Sequence, residues 1–158
     1  MRIDNENIKR FTAFESLSEK ELRIVLKYLH YRQYDETEYV YRQQTPSTAI
    51  YFLDYGTVQL VNREENKDDR LEIIKAGSGF GYSALLENSR RSHSAQCLEK
   101  CSCLALLHSD ISYLRKTEPW LMNHITQHIV SILLQRIGDL EHEYIHLTRK
   151  LAQSDIVV

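Results

Sequence analysis

A glycine-rich run, Gly77-Ser78-Gly79-Phe80-Gly81-Tyr82-Ser83-Ala84-Leu85-Leu86, is followed within a few residues by Arg90-Arg91-Ser92-His93. Together these residue types suit anion binding. Glycines let the chain turn sharply into a very short apolar helix whose first N–H groups have no partner inside the helix. Those groups and the helix dipole favour negative charge. Arg91 can fork onto two oxygens of one phosphate, and Ser92 adds a hydroxyl. The candidate ligand-binding set is therefore Gly81, Tyr82, Ser83, Ala84, Leu85, Arg91 and Ser92. His93 at its edge would make binding respond to pH. The plain alternative for Arg91 is a solvated surface arginine beside Arg90.

Two other groupings invite chemistry. His142-Glu143-Tyr144-Ile145-His146 spells HExxH, two imidazoles one helical turn apart with a glutamate between them, the zinc-protease pattern. Its place on the outer face of a late helix, with no third ligand beyond a tail residue, Asp155, argues against a catalytic metal, and none is expected. Adventitious metal at His142/His146 or His124/His128 is the most these pairs suggest. Cys97, Cys101 and Cys103 lack the spacing of a zinc or iron–sulfur framework and read as small buried strand residues. An odd count of three thiols fits a reducing, cytoplasmic setting. No nucleophilic triad or carboxylate pair stands out, so a non-enzyme is expected.

Three zones must position the glycine-rich run. Residues 1–30 read as helical: Ser18 and Glu21 form a capping box, and Leu22, Val25, Leu26 and Leu29 share a face. Phe11, Phe14 and Leu17 look like packing residues. Residues 31–108 read as short strands over Thr37–Arg42, Ala49–Leu53, Thr57–Val61, Arg70–Lys75 and Gln96–Leu107. Tyr55-Gly56 marks a tight turn, and the charged stretch Glu64–Arg70 reads as an exposed hairpin loop. Strands at this spacing suggest a small barrel or sandwich. Residues 109–153 read as helical again: Ser109 caps a short helix, Pro119 opens a long one, and residues 154–158 form a tail.

The long helix has the cleanest pattern. Val130, Leu133, Ile137, Leu140, Tyr144, Leu147 and Leu151 step by three and four in alternation, an a/d heptad seam. A two-stranded parallel homodimer is expected from it, with a single packed helix as the alternative. Arg136 and Glu141 fall at g and the following e, where they would bridge the two helices.

Composition narrows the class. The 158 residues suit one domain with a helical extension. A net charge of −2 gives no electrostatic grip on nucleic acid or an anionic membrane. No apolar run has the length of a membrane span, and Met1–Arg10 lacks the apolar core of a signal peptide.

The order helix, short-strand roll with a glycine-rich cassette, long terminal helix resembles the cyclic-nucleotide-binding domain, the regulatory module of catabolite-activator-type regulators, kinase regulatory subunits and gated channels. Val40-Tyr41-Arg42-Gln43-Gln44-Thr45 is similar to the family's vFrqGd strand and turn, with Gln44 where the family has glycine. Ala49-Ile50-Tyr51-Phe52-Leu53-Asp54-Tyr55-Gly56-Thr57-Val58 is similar to its lyfIlsGeV, Gly77–Leu86 to its GdxFGElaLl, and Arg91-Ser92 to its Arg-Ala/Ser.

The resemblance implies a mainly β fold with flanking helices. Its core would be a double-stranded β-helix, a jelly-roll-like β-roll, with an N-terminal helix and a long C-terminal dimerisation helix. It implies that Arg91, Ser92 and backbone N–H groups near Ser83–Leu85 hold a cyclic phosphate. Tyr82 takes the place of the glutamate that accepts from the ribose 2′-hydroxyl. Losing one charge-assisted hydrogen bond costs roughly 1.5–3 kcal/mol, one to two decades of affinity. Arg136 and Ile137 fall where hydroxyl residues of catabolite-activator-type members read adenine, so the resemblance adds Arg136 to the candidate ligand-binding residues as one able to stack on a base.

The function so implied is a non-enzymatic sensory module. It would bind cyclic AMP, cyclic GMP or a related phosphate effector, and signal through its terminal helix to a downstream protein the sequence does not identify. The alternative is a degenerate domain that binds no nucleotide and acts as a dimerising interaction protein. A third reading is the effector half of a transcription regulator. No helix-turn-helix follows the long helix, so direct DNA binding is not expected.

Overall fold

The computed structural model describes residues 8–64 and 67–154. Phe11, Phe14 and Leu17 are buried around a 3-10 turn, Thr12–Phe14. Helix α1, Glu19–Val25, starts at the expected capping box: Ser18 Oγ accepts from the Glu21 N–H, and the Glu21 carboxylate accepts from the Ser18 N–H at 2.9 Å. The helical face stops earlier than expected. A 3-10 turn, Leu26–Tyr28, leads directly into strand β1, Leu29–Tyr34, so Leu29 is a strand residue. β1 has little alternation to announce it, because most of its side chains are exposed or half-exposed. Its partner β8 supplies the pairing.

The remaining strands are β2 Tyr39–Tyr41, β3 Ala49–Tyr55, β4 Thr57–Glu64, β5 Lys67–Lys75, β6 Gly79–Phe80, β7 Ser94–Cys97 and β8 Cys101–Leu107. They form two antiparallel four-stranded sheets, ordered β1-β8-β3-β6 and β2-β7-β4-β5, which is the jelly-roll arrangement. Two expectations need correction here. The run Gln96–Leu107 is two strands, broken at exposed Leu98-Glu99-Lys100. The charged stretch Glu64–Arg70 is mostly ladder, because the β4–β5 pairing continues to Glu64 and Lys67. Only residues 65–66 of that expected loop fall outside the described residues.

Side chains alternate across the first sheet to build two apolar clusters. Ala49, Tyr51, Leu53, Cys103 and Ala105 meet Val58, Leu60, Ile74, Ala95 and Cys97 of the second sheet inside the roll. Ile50, Phe52, Leu104 and Leu106 face outward and are covered by Phe11, Phe14, Leu22 and the C-terminal helices. All three cysteines are buried free thiols, and burial pushes the Cys97 pKa up to about 12.

Helix α2, His108–Thr117, begins one residue before Ser109 with no side-chain cap, so Ser109 does not cap it. Helix α3, Pro119–Ser154, has 36 residues, roughly 54 Å at about 1.5 Å per residue. Leu121, Met122, Ile125 and Ile129 anchor its start in the outer cluster. From Val130 onward the helix buries nothing among the described residues, and all seven seam residues are exposed, Tyr144 by 69%. No described helix is long and apolar enough to cross a membrane.

Candidate functional site

Gly81 supplies a conformation that other residues resist. Its φ is +74°, and it caps a 3-10 turn, Tyr82–Leu85, that directly follows β6. A Cβ at this position would stand 2.8 Å from Arg91 Nη1, so the glycine also admits the arginine. Arg91 is 2% exposed. Its Nη1 donates to the Gly81 carbonyl at 2.7 Å and to Ser83 Oγ at 3.2 Å, and its Nη2 donates to the Ala49 carbonyl at 2.5 Å. The guanidinium lies 4.1 Å from the Tyr41 ring centroid and 5.9 Å from that of Tyr51.

Arg91 is therefore neither solvated nor a surface charge. Among the described residues no carboxylate pairs with it, and Nε has no hydrogen-bond partner. Burial lowers its pKa, which means the site holds an uncompensated positive charge at a desolvation cost. Such a centre attracts an anion.

The cassette is tied to its surroundings. Ser83 Oγ shares a hydrogen bond with Ser47 Oγ at 2.9 Å. The Ala84 carbonyl accepts from His108 Nδ1 at 2.8 Å, and the Leu85 carbonyl accepts from Arg115 Nη2. Helix α2 thus holds two carbonyls of the turn. Of the backbone N–H groups expected to meet a phosphate, that of Ala84 already donates to the Gly81 carbonyl at 3.3 Å. The Ala84 side chain is buried in the outer cluster.

Ser92 and His93 form a second group. Ser92 is exposed and its Oγ bonds His93 Nδ1 at 3.0 Å. His93 Nε2 bonds the Tyr41 hydroxyl at 3.1 Å. Tyr41 thus carries the guanidinium on its face and the imidazole at its hydroxyl; burial and then the Arg91 charge lower the His93 pKa.

Tyr82 belongs to the outer cluster, not to the roll interior where Tyr41 and Tyr51 lie under Arg91. Its hydroxyl is buried with no partner, and burial pushes its pKa up to about 12. The Arg136 guanidinium of α3 stands 6.0 Å from the Tyr82 ring centroid. Arg136 itself pairs with Glu72 of β5 at 3.2 Å. Within its own chain Arg136 thus meets the carboxylate that β5 presents beside the helix, while its expected bridge to Glu141 belongs to a pair of chains. Ile137, the next residue, is exposed. His142, Glu143 and His146 are exposed on the outer part of α3. Among the described residues no three His, Cys, Asp or Glu side chains are placed to hold a metal ion.

The structure brings Gly81, Ser83 and Arg91 together, and separately Tyr82 and Arg136. Sequence reasoning misses Tyr41 and Tyr51 as the platform under Arg91, Ala49 and Ser47 as its fixed surroundings, and Glu72. The Gln44 position is better legible: it stands where the resemblance has glycine, and its φ is +65°.

Comparison with known proteins bears on the family and the fold. A family model described as the cyclic nucleotide-binding domain matches residues 31–118. A protein of Rhodopseudomonas palustris named as a potassium channel protein is 28% identical over 120 residues, 76% of this chain and 29% of the relative. The cyclic AMP receptor protein of Thermus thermophilus is 26% identical over 137 residues, 86% of this chain and 62% of the relative. The chain thus spans less than two thirds of either relative's length. A crystal structure of a cyclic nucleotide-binding protein from Geobacter metallireducens matches with a TM-score of 0.75 at 15% identity, covering 85% of this chain and 98% of that one. That likeness concerns the fold alone.

Proposed function

Since the chain belongs to the cyclic nucleotide-binding domain family, we propose that it is a non-enzymatic, cytoplasmic regulatory module that binds a nucleoside cyclic monophosphate, cyclic AMP first. The observation that carries this is Arg91: a buried guanidinium with no carboxylate partner and one unpartnered N–H among the described residues, held by Gly81, Ala49 and Ser83. A ligand phosphate would supply the missing negative charge. The arginine is already oriented, so little side-chain entropy is lost on binding. Ser92 and His93 flank the phosphate, and Gly81–Leu85 forms the wall of the pocket.

Output runs through α2 and α3. His108 and Arg115 of α2 hold the Ala84 and Leu85 carbonyls, so a shift of the cassette on ligand binding moves α2 and with it the base of α3. The exposed seam from Val130 to Leu151 pairs with the same seam of a second copy in a parallel homodimer. The downstream partner is a protein. A second reading, an interaction module with no nucleotide, is favoured by Tyr82, whose ring lies in the outer cluster where the family resemblance implies a glutamate.

Equilibrium dialysis of the full chain with labelled cyclic AMP, wild type against Arg91→Lys, separates the two. Lysine keeps the charge but lacks the planar fork, so a loss of about tenfold or more supports the first reading. Wild-type protein that retains no label at millimolar nucleotide supports the second.

A further inference from the structure

A cleft of about 450 Å³ borders the cassette, and none of Arg91, Tyr41 and Tyr51 lines it. Three segments build it: Pro46 to Thr48 ahead of β3, Leu86 to Ser89 after the 3-10 turn, and Leu107 to Ser109 where β8 runs into α2. The segments are tied to one another. The Ser47 N–H donates to the Ser89 carbonyl at 2.9 Å, and the His108 N–H donates to the Thr48 carbonyl at 2.8 Å.

Three side chains of the cleft also hold the cassette. Ser47, 7% exposed, shares its hydrogen bond with Ser83 Oγ at 2.9 Å. Ser89 Oγ donates to the Ser83 carbonyl at 2.5 Å, and His108 Nδ1 donates to the Ala84 carbonyl at 2.8 Å. Ser83 Oγ in turn accepts from Arg91 Nη1 at 3.2 Å. The wall of the cleft at Ser47 is thus two hydrogen bonds from the buried guanidinium.

Other groups of the lining face a ligand. A carbonyl only accepts, so His108 Nδ1 carries the hydrogen and Nε2 of the neutral ring is an acceptor. Nε2 bonds nothing among the described residues and is not one of the buried unpartnered atoms, so solvent reaches it. The Thr48 and Ser109 side chains are exposed. Pro46, Leu86 and Leu107 supply apolar surface, Leu86 being 65% exposed. No Asp, Glu, Lys or Arg side chain lines the cleft. An ion entering it would lose hydration and meet no counter-charge, whereas a neutral molecule can bury an apolar body and donate an O–H to Nε2. No aromatic ring lines it either, so a compact aliphatic body suits it better than a flat, stacked one.

We propose that this cleft is a second ligand site, for a small neutral alcohol with an aliphatic body, and that its occupancy tightens the Arg91 site. An O–H donated to His108 Nε2 strengthens the bond from Nδ1 to the Ala84 carbonyl, because linked hydrogen bonds polarise one another. A body packed on Leu86 and Leu107 holds Ser47 and Ser89 in place, and these fix Ser83 and through it Arg91. The effect on nucleotide binding rests on the function proposed above; the cleft and its ligand class do not.

The test uses the full chain with cyclohexanol as the probe, against cyclohexanecarboxylate and cyclohexylammonium. NMR follows the His108 imidazole, the Leu86 and Leu107 amides and the Arg91 Nε–H. Cyclohexanol is expected to give saturating shifts at all of these in the millimolar range, and either ion a response at least tenfold weaker. Leu86→Glu puts a charge into the cleft at an exposed position; it is expected to weaken cyclohexanol binding at least tenfold with the melting curve unchanged. Ser47→Ala is expected to keep the His108 shift and lose that of Arg91. Calorimetry is expected to show cyclic AMP binding at least threefold tighter in saturating cyclohexanol. No saturating shift, or an equal response to the ions, overturns the site. Shifts at His108 with none at Arg91 and no change in cyclic AMP affinity overturn the coupling. Cyclohexanol that shifts both His108 and Arg91 in a chain that binds no nucleotide overturns the proposed function and leaves the second site standing.

Discussion

The Tyr82 hydroxyl sits against Gly79: a Cβ added to that glycine would stand 2.6 Å from the phenol oxygen. Gly79 pairs with Phe52 in the ladder, so the tyrosine lies down over the β3–β6 pair and points its polar end into an apolar cluster. The oxygen finds no partner there. A buried hydroxyl without a hydrogen bond is a net cost of about 1–3 kcal/mol.

Tyr82→Phe is therefore expected to raise stability by about 1 kcal/mol, measured by urea denaturation at equilibrium, and to leave nucleotide affinity within about twofold. If the variant is less stable, the hydroxyl is bonded in solution. If affinity falls tenfold, the phenol touches ligand.

The glycine at 81 answers to a different constraint. It carries a left-handed φ, and its missing Cβ leaves room for Arg91 Nη1. Gly81→Ala is expected to cost about 1–3 kcal/mol from backbone strain and to displace the guanidinium. Gln44→Gly runs the other way: Gln44 bears a φ of +65° without needing its side chain for that turn, so glycine is expected to raise the melting temperature by a few degrees. The two melting curves, measured side by side, check both signs.

Much of the fold is legible in the sequence because its signals are local. The capping box at Ser18 and Glu21 lies within one helical turn, the heptad in α3 repeats along one helix, and the glycine-rich cassette sits next to the turn it makes. What escapes is non-local. β1 reads as the end of a helix because only β8, paired from Tyr34↔Cys101 to Leu29↔Leu106 and far away in sequence, makes it a strand. The Arg136–Glu72 pair escapes a sequence reading because the two residues are distant in the chain and meet only in the folded protein. Arg91 is recognisable as a candidate from its motif, while its platform of Tyr41 and Tyr51 comes from two other strands.

His93 gives stability a pH dependence of known sign. Burial and the Arg91 charge hold its native pKa below the ordinary value, so the unfolded chain binds the proton more tightly. Its contribution is fully present above about pH 6.5 and is lost as pH falls from there through the lowered native value. Chemical denaturation between pH 5 and about pH 8 is expected to show stability rising with pH in that window, and His93→Gln is expected to flatten this part of the profile. A wild-type profile with no slope there contradicts the assignment.

The exposed seam on α3 predicts an oligomer. Leu140 and Leu147 sit at its centre, 64% and 51% exposed in the single chain. Leu140→Glu with Leu147→Glu places charges on both sides of a parallel pair and is expected to weaken dimerisation at least a hundredfold, read as a shift to monomer mass in sedimentation equilibrium. The roll, whose core ends at Ile129 on this helix, is expected to melt as a folded domain in the variant. A wild-type monomer at high micromolar concentration contradicts the dimer.

The buried, carboxylate-free Arg91 is the centre of the account, and isothermal titration calorimetry of the wild-type chain with cyclic AMP, then cyclic GMP, at modest salt, tests it most directly. Heat that saturates at micromolar nucleotide with one site per chain is the predicted result. No heat at millimolar concentration of either nucleotide contradicts it.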